Sequence, residues 1–387
     1  MRERQYPYII GILPYLIPLI VFFDWLFSFE VTKVQIGVYL KGFATLLFIY
    51  VFLHHRFSAY YFKNILLYFL GIYLIYSIFS DSTFEYLYLT VRVAFWVLGS
   101  LAFYYFFLND LISQRQLRLM FLLITFIACL FTFILMSRSD TYQNANAYLL
   151  LWCLPLLFLF KQSKLVQLAI IISIVAIVLT IKRGAILALI MSLFLYFIAM
   201  NHISEKKISK IKITLTSLFI AGVISLVLYL NWEIVTERMA DRTGSGRVNL
   251  YTAIIKNYIR GDIIDILFGH GINSVQKLTT IVLAKKPGGI GVAAHSDWLQ
   301  YMSDFGFFGL LFMFLFHFKF IKLIRFHLHH KTSWLPPLLL TYTIFTLTTV
   351  YSFILNSPNA IFLGIFIALL SVETNRIKYE INDVRII

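Results

Sequence analysis

The sequence is a succession of apolar segments, each about long enough to cross a bilayer, separated by short polar connections. Because a membrane-spanning helix needs about 20 apolar residues, these segments predict about twelve transmembrane helices. Their approximate cores are residues 7–29, 34–53, 65–80, 88–108, 117–136, 147–160, 165–181, 184–200, 213–231, 305–324, 335–354 and 359–373. Hydrophobic residues make up 60% of the chain and charged residues 13%, which excludes an ordinary soluble domain. The predicted fold class is an all-α polytopic membrane protein.

One division in this pattern rests on a charged pair inside a long apolar stretch. Residues 165–200 are too many for a single span, and the pair Lys182 and Arg183 interrupts them. We therefore predict two helices that meet at Thr180–Gly184 in a tight hairpin, with the two cations at its tip. The two cysteines, Cys129 and Cys153, lie inside apolar runs and are predicted to be buried thiols.

The distribution of lysine and arginine predicts the orientation of the chain, because cytoplasmic loops of membrane proteins carry an excess of both. One set of alternating loops holds most of these residues, from Arg2 near the start to Arg385 near the end. The short loops of the opposite set carry only Lys33, Arg138, Lys182 and Arg183. Both termini are therefore predicted to be cytoplasmic. The net charge of +15 is explained by this topology and by contact with the lipid bilayer, so nucleic acid is not an expected partner.

The one long polar interruption, residues 232–304, is predicted to face outward. The expected organisation is transmembrane helices 1–9 over residues 1–231, this loop over 232–304, transmembrane helices 10–12 over 305–373, and a cytoplasmic tail over 374–387. Polar chemistry gathered in one loop locates the binding or reaction site at one face of the bilayer.

Several arginines lie on the outer side, against the usual charge bias. A guanidinium group binds phosphate oxygens in pairs, so arginines from separate segments suit capture of one anion. Arg183 starts a span, and Arg247 follows Gly244-Ser245-Gly246 at the start of a predicted helix whose backbone amides also favour an anion. Lys182, Arg138 and Arg242 are further candidates. The alternative is that each cation extends to lipid headgroups or pairs with a nearby carboxylate.

The helix that follows Arg247 is predicted to be amphipathic. Val248, Tyr251, Ile255 and Tyr258 recur at intervals of three and four residues and form one apolar face. Such a helix suits a position along the outer membrane interface.

His295 precedes the last polar-to-apolar transition. Ser296 or Asp297 is predicted to cap a helix that enters the membrane through Trp298, Tyr301 and Phe305 towards Gly309. A histidine at a helix N-terminus tends to be neutral, as a general base must be. A lone histidine at a membrane boundary is also a common capping or interfacial residue.

Five motifs in this order resemble those of the O-antigen ligase and Wzy-type repeat-unit polymerase superfamily. They are Asn144-Ala145-Asn146, Thr180 to Ala185, Ser245-Gly246-Arg247, Phe268 to Gly271, and the histidine-led segment from His295 to Gly309 that ends in Gly-x-x-Gly. The resemblance covers residues 140–315. It departs from the family at position 296, where the family most often has asparagine and this chain has Ser296, followed by Asp297.

The resemblance implies a GT-C-like architecture and a metal-independent glycosyltransferase without cofactors, in the bacterial inner membrane. The implied donor is an oligosaccharide on undecaprenyl diphosphate, and a chain-length regulator is an implied partner. Matching positions make Arg183 and Arg247 diphosphate ligands and His295 the base or positioning residue. Asp297 is left as a residue that orients His295, as the base, or as a cap. Candidates for glycan contact are Asn144, Asn146, Tyr251 and Trp298.

Three functions follow from this resemblance and from the span pattern. The Asn-Ala-Asn and His-Ser-Asp segments resemble polymerases, which join one lipid-linked repeat unit to another, more than ligases, which transfer finished glycan to lipid A core. A transporter of lipid-linked glycan is the less favoured alternative, because transporters carry ionisable residues at mid-membrane. Here Asp24, Lys41 and Arg92 are predicted to lie near helix ends or to extend to the interface.

Overall fold

The computed structural model describes residues 7–26, 36–76, 83–138, 145–180, 182–204, 247–282, 294–352 and 359–384, with positions 222, 225, 229 and 355. These residues form helices, and no strand is found among them. The helices are α1 Pro7–Leu26, α2 Ile36–His54, α3 Lys63–Tyr76, α4 Thr83–Leu108, α5 Gln114–Arg138, α6 Ala145–Leu159, α7 Lys164–Leu179, α8 Arg183–Ile203, α9 Arg247–Arg260, α10 Ile263–Phe268, α11 Ser274–Val282, α12 Asp297–His329, α13 Leu335–Tyr351 and α14 Ala360–Val384.

The hydropathy of these helices confirms an all-α polytopic membrane protein. Within the described residues, six helices are long and apolar enough to cross a membrane, and four shorter apolar helices accompany them. The long apolar stretch is divided where the sequence predicted, since α7 ends at Leu179 and α8 begins at Arg183. The predicted span over residues 213–231 lies outside the described residues, apart from three single positions.

The helices group into two compact units. The first unit comprises residues 1–67, 90–182 and 358–387, and the second comprises residues 68–89 and 183–357. In the first unit α4 forms the centre, and Trp96, Phe103 and Phe106 are buried along it. The Ser100 hydroxyl donates to the Gly364 carbonyl at 2.7 Å, which joins α4 to α14. Cys129 and Cys153 are free thiols buried in this unit, as predicted.

The position of Lys41 differs from the prediction. Its side chain is 3% exposed, on a face of α2 that also buries Ala44 and Phe48. The sequence predicted that this lysine lies near a helix end or extends to the interface, and it lies in the second turn of α2 with its side chain buried. Because α2 packs against α1, the lysine instead lies inside the first unit.

The second unit contains α8 packed along α13, and a helical segment, α12, that folds back on itself. Residues 298 and 317 of a straight helix would be about 28 Å apart. The ring centroids of Trp298 and His317 are 5.3 Å apart, and those of Trp298 and Phe314 are 5.2 Å apart. The reversal occurs at Gly306, whose backbone is non-helical (φ 59°, ψ −138°). We refer to residues 297–305 as the first arm and to residues 307–329 as the second arm.

This reversal corrects the prediction that the helix after Ser296 continues directly into the membrane. The first arm lies against the beginning of the second arm, and only the second arm, 23 residues and about 34 Å long, continues as a transmembrane helix. Helices α9, α10 and α11 pack beside the first arm. Ile254, Val275 and Ala294 form the buried core of this group.

Candidate functional site

The glycine turn at Phe268–Gly271 closes the end of the first arm. The last carbonyl groups of a helix have no partner within it and need donors from elsewhere. Here the His270 amide donates to the Ser303 carbonyl at 2.8 Å, and the Gly271 amide donates to the Asp304 carbonyl at 3.0 Å. Two motifs that lie far apart in the sequence therefore form one structural feature.

The glycines of both motifs are required by close backbone contact. A Cβ on Gly269 would lie 2.5 Å from the Gly306 nitrogen, and a Cβ on Gly306 would lie 2.6 Å from the Gly269 nitrogen. Both residues also have positive φ, which glycine adopts without strain. A Cβ on Gly309 would lie 2.2 Å from the Tyr301 carbonyl oxygen, so the two arms meet at the second glycine of Gly-x-x-Gly.

A buried carboxylate, Asp304, connects the first arm to α11. It accepts hydrogen bonds from the Ser274 amide at 2.9 Å and from the Ser274 hydroxyl at 2.7 Å. The same Ser274 hydroxyl lies 2.7 Å from the Ser303 hydroxyl. A buried charge is tolerated when donors surround it, and this arrangement provides them.

Gln300 extends this network to the residue before His295. Its side-chain amide donates to both carboxylate oxygens of Asp304, at 3.0 and 2.9 Å, and to the Gln276 side chain at 3.1 Å. Its carbonyl oxygen accepts from the Ala294 amide at 3.1 Å. Gln300 and Ala294 are both fully buried. The chain of bonds therefore runs from α11 through Asp304 and Gln300 to the entrance of the first arm.

His295 lies at that entrance in a constrained backbone conformation. Its φ is +53°, a region that residues other than glycine rarely occupy. Its carbonyl oxygen accepts a hydrogen bond from the Tyr251 hydroxyl at 3.2 Å, and the residue as a whole is exposed. The first arm begins two residues later, so His295 is beside a helix N-terminus, as predicted.

Ser296 and Asp297 join the first arm to the end of α13. The Ser296 hydroxyl donates to the Thr349 carbonyl at 3.3 Å. The Asp297 amide donates to the Ser352 carbonyl at 3.2 Å, and its carboxylate accepts from the Leu355 amide at 3.2 Å. Asp297 has no exposed surface. Its carboxylate is thus used to hold the connection that follows α13, and His295 is the exposed member of the pair.

Three of the predicted cations, Arg183, Arg247 and Arg138, stand at the start or end of a helix. Arg183 is the first residue of α8 and is exposed, in the second unit with His295. Lys182 belongs to the first unit, where its ammonium lies 4.2 Å from the centre of the Tyr148 ring. Arg247 begins α9 and Arg138 ends α5, but their side chains are outside the described residues, as is all of Arg242.

The four predicted glycan contacts fall in different surroundings. Tyr251 is next to His295, through the hydrogen bond described above. Trp298 is half-buried between the two arms, where its ring packs on Phe314 and His317. Asn146 lies in α6, although its side chain is outside the described residues, and Asn144 lies outside them altogether.

Helix α9 is amphipathic, and the face that it buries inside the protein is not the face predicted to lie along the membrane interface. Ile254 is fully buried and Leu250 packs against it, whereas Val248 and Ile255 are exposed. The phenol of Tyr258 donates to the Ile266 carbonyl at 2.8 Å, and burial raises the pKa of Tyr258, so it stays protonated. The sequence reading treated the two tyrosines as apolar surface, although each directs its hydroxyl to a backbone carbonyl.

Sequence reasoning did not identify Gln300 and Asp304 as site residues. Asp297, Gln300 and Asp304 recur at intervals of three and four residues within an otherwise apolar helix. Such spacing places them on one face of a helix, and a polar stripe on an apolar helix indicates a buried network. The spacing of these three polar residues could therefore have predicted the network from the sequence.

The family comparison covers part of this arrangement. A family model described as O-antigen ligase matches residues 168–314, which include Arg183, Arg247 and the first arm. No curated protein matches the chain. Members of the matched family are glycosyltransferase-like enzymes. The chain is a multi-pass membrane protein, and its residues 168–314 are similar to the O-antigen ligase family.

Proposed function

We propose that this protein is a surface-polysaccharide polymerase of the bacterial inner membrane. It transfers an oligosaccharide from undecaprenyl diphosphate onto a second lipid-linked repeat unit, on the periplasmic side. The observation that carries the proposal is the position of His295, an exposed imidazole at the start of the first arm, held by a buried network inside the family-matched segment. The lysine and arginine distribution supports cytoplasmic termini and a periplasmic site.

In this proposal, His295 accepts the proton that the reaction releases, and two arginines stabilise the negative charge on the leaving diphosphate. The acceptor hydroxyl attacks the anomeric carbon of the donor sugar, and its proton passes to the His295 imidazole. The bond between that carbon and the diphosphate oxygen breaks, and the electron pair leaves with the diphosphate. Arg183 and Arg247 neutralise the developing negative charge through paired hydrogen bonds to phosphate oxygens. No cofactor enters this scheme.

Asp297 is assigned an orienting function in this scheme. Its carboxylate is fully buried and accepts a hydrogen bond from the Leu355 amide. A group so enclosed cannot reach a sugar hydroxyl without opening the connection after α13. We therefore assign the base to His295 and the fixing of its turn to Asp297.

The donor assignment is tested by arginine substitutions in a strain that depends on this protein for its polysaccharide. Arg183→Ala and Arg247→Ala are expected to abolish glycan chain extension on gels while the protein still accumulates in the membrane. Arg183→Lys separates charge from paired hydrogen bonding and is expected to restore only part of the activity. Arg115→Ala, an exposed arginine in the first turn of α5, is the matched control. Normal banding from both alanine variants would refute the donor function.

Ligase activity is the second candidate, because the matched family model is described as O-antigen ligase. The two activities predict different products in a deletion strain. Loss of a polymerase leaves a single repeat unit on lipid A core. Loss of a ligase leaves bare core and accumulated lipid-linked polymer, and that result would replace our proposal.

A further inference from the structure

Helices α9 and α10 present a line of exposed isoleucines. Ile259 is 68% exposed and Ile263 is 74% exposed, and Ile255 and Ile264 are also exposed. Ile255 and Ile259 are one helical turn apart on α9, and the other two begin α10. Scattered apolar residues on a surface need no explanation, but a contiguous group indicates a partner.

The buried side of α9 already has its partner inside the protein. Ile254 packs against Val275 and Ala294, and the Tyr251 and Tyr258 hydroxyls donate to backbone carbonyls. The exposed isoleucines are therefore a second apolar surface, separate from the face that holds α9 in place.

This surface adjoins the apolar helix α3. The Tyr76 hydroxyl, at the end of α3, donates to the carbonyl of Phe268, the last residue of α10. The exposed side chains of Leu74 and Ile75 lie on the same end of α3. Because α10 has six residues, it is about 9 Å long. The isoleucines at its beginning thus lie about 9 Å along α10 from the residue that the Tyr76 hydroxyl contacts.

The charges beside the isoleucines favour phosphate. Lys256 and Arg260 are exposed and directly follow Ile255 and Ile259 in the sequence. Asp262, at the corner between the helices, is used as the cap of α10, where its carboxylate accepts from the Asp265 amide at 2.8 Å. An apolar line flanked by cations is the pattern of a helix that lies at a membrane surface.

We propose that the corner between α9 and α10, residues 255–264, inserts into the outer leaflet of the bilayer, with Lys256 and Arg260 at the level of the lipid phosphates. The occupant of the exposed surface is lipid. The insertion fixes α9, and with it Tyr251 and the His295 turn, at the height where a lipid-linked substrate presents its diphosphate. The proposal of insertion itself does not depend on which sugar transfer the protein catalyses.

The test measures the depth of single labelled positions in the full chain. Both native cysteines are replaced by alanine, and one cysteine is introduced by Ile263→Cys, Leu74→Cys or Lys277→Cys. Each variant is labelled with the environment-sensitive dye NBD and reconstituted, one copy per nanodisc, in phosphatidylethanolamine and phosphatidylglycerol. Lys277 is the matched control, because it is exposed on α11 in the same group of helices. A parallel sample contains lipid with a nitroxide at a shallow acyl position.

Insertion predicts that the label at position 263 resembles the label at position 74. Both should emit at shorter wavelength than the label at 277, lose at least half their intensity to the nitroxide lipid, and resist quenching by aqueous iodide. Equal iodide quenching at 263 and 277 would overturn the proposal, because the corner would then lie in water. A blue shift at 263 that occurs only in nanodiscs with two copies would also overturn it and assign the surface to a second chain.

Discussion

The most discriminating prediction concerns Gly306, where α12 reverses. Its φ is +59°, and a Cβ at this position would lie 2.6 Å from the Ile266 carbonyl oxygen and 2.7 Å from the Leu267 carbonyl carbon. These neighbours are backbone atoms of α10, which cannot rotate away. Gly306→Ala therefore combines an unfavourable backbone conformation with a steric clash.

The two contributions can be separated by comparison with other glycines. A backbone conformation that only glycine adopts readily costs an alanine about 1–3 kcal/mol, and overpacking adds about 1–3 kcal/mol, so Gly306→Ala should destabilise by about 2–6 kcal/mol. Gly271 has φ +85° but open space around its Cβ position, so Gly271→Ala should cost only the first contribution. Gly71, inside α3, has neither constraint, and Gly71→Ala should be neutral or stabilise by about 0.5–1 kcal/mol.

The assay heats detergent-purified protein and measures the fraction that remains monodisperse at each temperature. The expected order of midpoints is Gly71→Ala at or above wild type, then Gly271→Ala, then Gly306→Ala. Glycan extension in cells should follow the same order. If Gly306→Ala is as stable as Gly271→Ala, the backbone of the glycine turn does not pack as closely against Gly306 as we describe.

Three further predictions concern the network around His295. Asp304→Ala removes the acceptor of several buried donors, and each donor left without an acceptor costs about 1–3 kcal/mol. This variant should therefore have a lower inactivation midpoint than Asp304→Asn, which keeps one oxygen. Equal midpoints would contradict the network. Asp297→Asn retains an oxygen for the Leu355 amide and should preserve most glycan extension, whereas His295→Ala should abolish it. A stable but inactive Asp297→Asn, together with an active His295→Ala, would make Asp297 the base. Tyr251→Phe loses one hydrogen bond, worth about 0.5–1.5 kcal/mol, and should reduce extension several-fold without lowering protein levels in the membrane.

Hydropathy was sufficient for most of the helical framework, because burial in lipid requires continuous apolar segments whatever the tertiary fold. It located α8 and its boundary at Arg183, and the start of α12 after Ser296. The donor function of the arginines stays a prediction.

The reversal at Gly306 was beyond a local reading of the sequence. Phe305 and Phe307 flank the glycine, and no proline stands near it to mark a reversal. What turns the chain is the contact with Gly269, a residue far away in the sequence. The burial of Lys41 was missed for a related reason, because the sequence of one helix does not show which other helix packs against it.

The reversal gives a physical reason for the spacing of the family-like motifs. Between His295 and Gly306 the first arm is about two and a half helical turns long. Because Gly309 has no side chain, the second arm can pack directly against Tyr301. The Phe268–Gly271 turn supplies amides to the end of this arm, and Asp304 and Gln300 carry hydrogen bonds back to its beginning. A substitution in the glycine turn therefore acts on His295 without touching it. Glycine variants in this turn should weaken glycan extension even where the protein remains folded, because the imidazole depends on the arm for its position.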